Sequence, residues 1–208
     1  MFVPHSISRS LGLASATTLV LLACACTVNV EKNKDGGDKN VKIDTPLGGI
    51  HVTQDQVSAA DTGLPQYPGA RVDSDHEGDK SADIHMGFGD WEMRIKVVRY
   101  QTSDQQEKVL AFYKKALGRY GDVIECNGKH AVGTPTTTRE GLTCDDSGQH
   151  ADIHFDDAVD QEKGHYLKAG SKRHQHIMGI ESSSSADETK FSLVQLDLPA
   201  GMDKGESN

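Results

Sequence analysis

Histidine is over-represented: ten occur in 208 residues, and His150, His154, His165, His174 and His176 crowd into the last third. Imidazole is the common protein ligand for zinc and copper, and carboxylate often accompanies it. Residues two apart in an extended strand project from one face. His150, Asp152 and His154 would therefore share a face of one strand, and His174 and His176 a face of another. If those strands were neighbours, four imidazoles and a carboxylate would converge on Zn²⁺ or Cu²⁺. Spacing alone does not establish that pairing. Neither an H-E-x-x-H pair nor zinc-finger spacing occurs. The competing reading is a histidine-rich sheet face open to solvent. No motif demands any other cofactor.

Other candidates are weaker. Asp73-Ser74-Asp75-His76-Glu77-Gly78 resembles the start of a calcium loop, with oxygen ligands at alternate positions and then glycine. Lys80 and Ile84 break the pattern, the latter where a closing Glu belongs. An acidic turn is the better reading. Asp145-Asp146, Asp156-Asp157 and Asp160 sit among turn residues, where solvated loops explain them better than a glycosidase pair. Ser182–Ser185 form a polar loop with no G-x-S-x-G elbow to expose a nucleophile. No phosphate-binding glycine loop is present. These observations favour a binding or scaffolding role over catalysis.

The chain before these residues reads as an address. Arg9 precedes an uncharged stretch, and Leu11–Leu22 supply a short apolar core. That is the layout of an export signal over residues 1–23. It ends in Leu21-Leu22-Ala23-Cys24, which resembles the lipobox of bacterial lipoproteins. The resemblance implies cleavage before Cys24 and a lipid on its thiol, with Cys26 the alternative acceptor. It also implies a membrane partner reached through that lipid. Ala25 after the acylated cysteine implies the outer membrane, where the cell has one. Ordinary secretion after Ala23 or Ala25 and an uncleaved anchor are the competing readings. Ser, Thr, Asn and Cys within the stretch make it a poor membrane span.

With Cys24 acylated, Cys126 and Cys144 remain as a pair. An oxidising envelope compartment permits that disulfide. Closing the loop between them stabilises by roughly 3 kcal/mol on chain-entropy grounds. Metal thiolates or a reactive thiol are the alternative, with no C-x-x-C spacing to support them.

Behind the address, residues 24–53 predict a tether and a small β arm. Val28 and Val30, Val41 and Ile43, and Ile50 and Val52 alternate with polar residues, the period of strands covered on one face. Asp35-Gly36-Gly37-Asp38 and Pro46–Gly49 supply the turns. Residues 54–63 read as a linker and 64–200 as the main domain, with 201–208 a frayed tail. Alternation over Trp91–Val97 predicts a strand, with Ala82–Met86 as its hairpin partner. Val109, Phe112, Tyr113, Ala116, Leu117 and Tyr120 predict a helix over 103–120, with a Ser103/Gln106 capping box and Gly121 as its stop. Strands are expected at Asp122–Cys126, Leu142–Asp145, Ala151–Phe155, Tyr166–Ala169, His176–Glu181 and Phe191–Leu198. The fold class is then α+β: an antiparallel sheet packed against one main helix.

The Leu64-Pro65-Gln66-Tyr67-Pro68-Gly69-Ala70 phrase, the Tyr100–Asp104 cap and the Val109–Leu117 helix resemble a loose group of uncharacterised bacterial envelope lipoproteins. That resemblance implies a fold and a location, not a reaction. Lys and Arg number 22 against 31 Asp and Glu, a net charge of −9. Such a balance excludes a nucleic-acid surface, which calls for concentrated basic residues. The expected partner is a protein or another envelope component.

Overall fold

The computed structural model describes residues 27–32, 38–73, 80–145, 163–181, 184–185 and 187–201. Residues 1–26 with Cys24 and Cys26, residues 33–37 and 74–79, the span carrying His150, Asp152 and His154, and residues 202–208 lie outside them.

The described elements are β1 (Thr27–Lys32), β2 (Asp38–Thr45), β3 (Gly48–Gln54), a 3-10 turn (Ala60–Thr62), β4 (Arg71–Val72), β5 (Ser81–Phe88) and β6 (Trp91–Thr102). Helix α1 (Gln106–Leu117) runs into a second 3-10 turn (Gly118–Tyr120), and β7 (Ile124–Asn127), β8 (His130–Ala131), β9 (His165–Gly170), β10 (His174–Ile180) and β11 (Thr189–Asp197) complete the order. Among the described residues the fold is one antiparallel sheet and one α-helix, with strands dominant. The sheet order is β1-β2-β3-β5-β6-β11-β10-β9-β7-β8, with β4 beside β6.

The arm belongs to this sheet. β3 pairs with β5 through Ile50↔Met86 and Val52↔Ile84, so its ladder continues into the main strands. The segment 54–63 is packed rather than loose. Asp55 N–H donates to the Ser81 carbonyl at 2.9 Å, and Ala59 N–H to the Tyr100 hydroxyl at 3.1 Å. Ala59 and Thr62 are buried.

Two apolar clusters lie on opposite faces of the sheet, and the strands themselves explain why. In β6 the apolar side chains Met93, Ile95 and Val97 point one way, while Val98 and Tyr100 point the other. Strict alternation carries side chains to both faces, so two adjacent apolar residues move the apolar stripe across the sheet. β11 changes at the facing pair, Leu193-Val194, because Val98 pairs with Leu193 and Val97 with Val194. β10 does the same at Ile177-Met178, which oppose Val194 and Leu193.

Helix α1 covers the first face. Its Val109, Leu110, Tyr113 and Leu117 pack on Val98, Tyr100, Leu167, Met178, Phe191 and Leu193. Leu64, Tyr67 and Ala70 join the same cluster, so the Leu-Pro-Gln-Tyr-Pro-Gly-Ala phrase is core. The helix starts later than its sequence predicts, at Gln106, with no side-chain cap. The Asp104 carboxylate instead accepts from the Tyr67 hydroxyl at 2.8 Å and from Lys108 Nζ at 2.9 Å. Those bonds hold 103–104 as a bend and leave the Ser103/Gln106 box unmade.

The second face carries Met93, Ile95, Ile124, Cys126, Tyr166, Ile177, Val194 and Leu196 under Leu142, Cys144 and Leu198. The strand expected at Leu142–Asp145 is an irregular loop. Its backbone bonds go to its own turn: Thr138 N–H donates to the Leu142 carbonyl at 3.0 Å, and Leu142 N–H to Thr138 Oγ1 at 2.9 Å.

Candidate functional site

β10 places His174 and His176 on one face, as alternation requires, yet each is engaged by its own neighbours. His176 Nδ1 lies 2.8 Å from the Thr62 carbonyl oxygen. A carbonyl only accepts, so Nδ1 carries the proton. The His176 ring stacks on Tyr120, whose hydroxyl donates to the Gly63 carbonyl. Lys96 Nζ donates to the Asp61 carbonyl at 3.0 Å. Three consecutive carbonyls, from Asp61 to Gly63, are thus held by side chains from β6, β10 and the turn after α1. Burial lowers the His176 pKa, against the opposing pull of the Thr62 bond. His174 is exposed and pairs with Asp197 across the β10–β11 ladder, Nδ1 to Oδ1 at 2.9 Å. Among the described residues no three His, Cys, Asp or Glu side chains gather as a metal group. His150, Asp152 and His154 lie outside the described residues. His165 Nε2 lies at hydrogen-bond distance, 2.9 Å, from Glu125 Oε1. Burial pushes the Glu125 carboxyl up, but bonds from Lys114 and His165 outweigh it and leave its pKa lowered.

Cys126 on β7 and Cys144 in the covering loop form a disulfide, with Cα atoms 5.6 Å apart. Both are buried in the second cluster. The Tyr166 hydroxyl lies 3.0 Å from the Cys144 carbonyl, and Arg139 grips Asp122 through Nε and an η nitrogen at 3.0 and 2.9 Å. The staple therefore holds the 132–145 loop over the sheet.

Sequence reading does not single out a group of buried charges on that same face. Arg99 Nε approaches Glu181 at 3.4 Å, and Lys190 Nζ approaches Asp73 at 3.2 Å. Lys168 is only 1% exposed. The signal was present: Arg99 and Gln101 continue the apolar stripe of β6 in register, where alternation predicts inward side chains. At the N-terminal end of α1, Gln105, Gln106, Glu107, Ser184 and Ser185 line an open polar hollow of about 550 Å³. Among the described residues that line it there is no imidazole to activate a serine.

The outer strands are two-faced. On one face His51 bonds Asp44 at 3.0 Å and His85 bonds Glu92 at 2.8 Å, with the two rings edge to face at 6.1 Å. Val28, Ile43, Ile50, Met86 and Met93 follow one another across the other face, strand by strand. Val28, Val30, Leu47 and Phe88 are exposed. Phe88 lies beside Trp91, ring centroids 6.1 Å apart.

Comparison with protein-family models, with characterised proteins and with solved structures finds no match to this chain. Among the described residues no helix is long and apolar enough to cross a membrane.

Proposed function

We propose that the protein is an envelope lipoprotein, exported and tethered through a lipid on Cys24 or Cys26, whose acidic sheet domain binds or scaffolds an envelope partner. The observation that carries this reading is the Cys126–Cys144 disulfide, buried in the fold. Structural disulfides belong to oxidising compartments, and this one follows an apolar leader ending in Leu21-Leu22-Ala23-Cys24. A non-catalytic role is supported by where the titratable residues spend their bonds. His51, His85, His165 and His174 pair with carboxylates, and His176 bonds a backbone carbonyl. With the lipid on Cys24, Ala25 as the next residue would set the protein on the outer membrane where the cell has one.

The test is the intact mass of protein purified from its native membrane fraction, with and without reductant. A chain starting at Cys24 or Cys26, carrying acyl mass and gaining two hydrogens on reduction, supports the reading. A chain without acyl mass refutes the tether.

A further inference from the structure

Where the chain enters the sheet decides which part of the domain faces the membrane. Thr27 pairs with Asp44, and the next residue of β2, Thr45, pairs with Gly48. Gly48 pairs with Phe88, and Phe88 with Trp91. The first residue of β1, the β2–β3 turn and the β5–β6 turn therefore share one end of the sheet. Gly89 N–H donates to the Leu47 carbonyl at 3.2 Å and ties the two turns together.

That end is open and presents large apolar side chains beside the exposed Asp90 of the β5–β6 turn. Leu47 is 82% exposed, Val28 58% and Phe88 44%. The Phe88 ring lies against the backbone of β3, where a Cβ on Gly48 would sit 2.7 Å from Phe88 Cδ1. Glycine there leaves the ring its place beside Trp91, the two rings tilted 45° to each other. The polar side chains of Asp44, His51, His85 and Glu92 occupy the opposite face. The outer strands thus form an amphipathic sheet whose apolar side is richest at the end where the chain arrives.

We propose that the end of the sheet carrying Val28, Leu47, Phe88 and Trp91 rests in the headgroup layer of the membrane that holds the lipid anchor. The proposal rests on the tether reading and extends it from an attachment to an orientation. Its occupant follows from chain length. Thr27 lies three steps along the chain from Cys24, and an extended chain spans at most about 3.6 Å per step, or roughly 11 Å. The headgroup layer is itself roughly 5–8 Å deep on each side of a bilayer. A lipid on Cys24 leaves Thr27 no room to stand far from that layer, and a lipid on Cys26 leaves less. Aromatic rings with a polar edge settle in such layers, and exposed leucine and valine gain from leaving water. With 31 Asp and Glu against 22 Lys and Arg in the whole chain, the protein offers no attraction to anionic lipid, so the contact is hydrophobic and independent of salt.

Trp91 is the only tryptophan and reports on this end directly. The experiment uses the full acylated protein, purified in detergent, checked by intact mass and reconstituted into phosphatidylethanolamine–phosphatidylcholine vesicles. Phosphatidylcholine brominated near the headgroup is the quencher. The expected result is a blue shift of Trp91 emission on reconstitution and loss of most of its intensity to bromine, unchanged in high salt. Leu47→Asp, an exposed turn substitution that leaves the core intact, is expected to weaken the quenching without altering the acyl mass. Acylated protein whose Trp91 is neither shifted nor quenched overturns the proposal while the tether stands. A concentration-dependent dimer that protects Trp91 equally without vesicles overturns it too, because the apolar end would then belong to a second copy. Absence of acyl mass removes the tether and the proposal together.

Discussion

The ring of His176 lies flat on that of Tyr120, with centroids 3.6 Å apart. The stack joins β10 to the turn after α1, and both residues then reach the same target. His176 Nδ1 takes the Thr62 carbonyl and Tyr120 the Gly63 carbonyl. Gly63 has φ of 76°, and a Cβ there would meet both the Tyr120 hydroxyl and the His176 ring. The pair fastens the connection between the outer strands and the main sheet. Tyr120→Phe removes one bond and should cost about 1 kcal/mol, measured by denaturant midpoint.

The buried imidazole makes stability pH-dependent. Burial lowers the His176 pKa from its ordinary 6.5. Between the folded and unfolded values the unfolded chain binds the extra proton, so stability rises with pH across that window. The contribution is fully present above 6.5 and is lost as pH falls through the lowered folded value. Urea midpoints of the wild type should fall as pH drops below 6.5, and His176→Phe should flatten that part of the profile. Glu125 acts later. Its lowered carboxyl contributes stability above the ordinary value of 4.5, lost as pH falls through its folded value.

Reduction of Cys126–Cys144, or Cys126→Ser with Cys144→Ser, should lower stability by roughly 3 kcal/mol. The same change frees the 132–145 loop, whose remaining hold includes the Asp122–Arg139 pair. Trypsin should then cut after Arg139 in the reduced protein and leave that bond intact in the oxidised one. Equal cleavage in both states would deny the staple its role.

Phe191 is buried against the rings of Tyr67, Tyr100 and Tyr113, at centroid separations of 6.3, 5.8 and 5.5 Å. Phe191→Ala should cost about 3–5 kcal/mol, through lost transfer energy and the cavity left behind. Thermal unfolding monitored by far-UV circular dichroism checks it.

Asp73 is buried beside Lys190, 3.2 Å from its Nζ. Asp73→Ala leaves that ammonium without the carboxylate and should destabilise by about 3 kcal/mol or more. A denaturant midpoint close to that of the wild type would show the pair to be dispensable.

Much of the fold was legible from the chain because it is local. Period-two alternation marks Val28 and Val30, Val41 and Ile43, and Ile50 and Val52, and these pairs do stand opposite one another in register. The apolar face of α1 is readable from Val109, Tyr113 and Leu117, and all three are buried. Alternation also shows Val97-Val98 breaking step, but not what each face will meet. The cap at Ser103 failed because Tyr67, far away in sequence, claims Asp104.

By itself the sequence determined the strand and helix periods, the cysteines available to pair, the acidic balance and the leader-like opening. These follow from residue types within a few positions of one another. Only tertiary structure decided that the arm joins the main sheet, that the loop carrying Leu142 is stapled across its second face, and that His176 serves a backbone turn. It also decided that Thr27, Leu47, Phe88 and Trp91 meet at one end. Those outcomes depend on strand order and register. Register is set by which apolar faces are buried together, and no short stretch of chain contains that information.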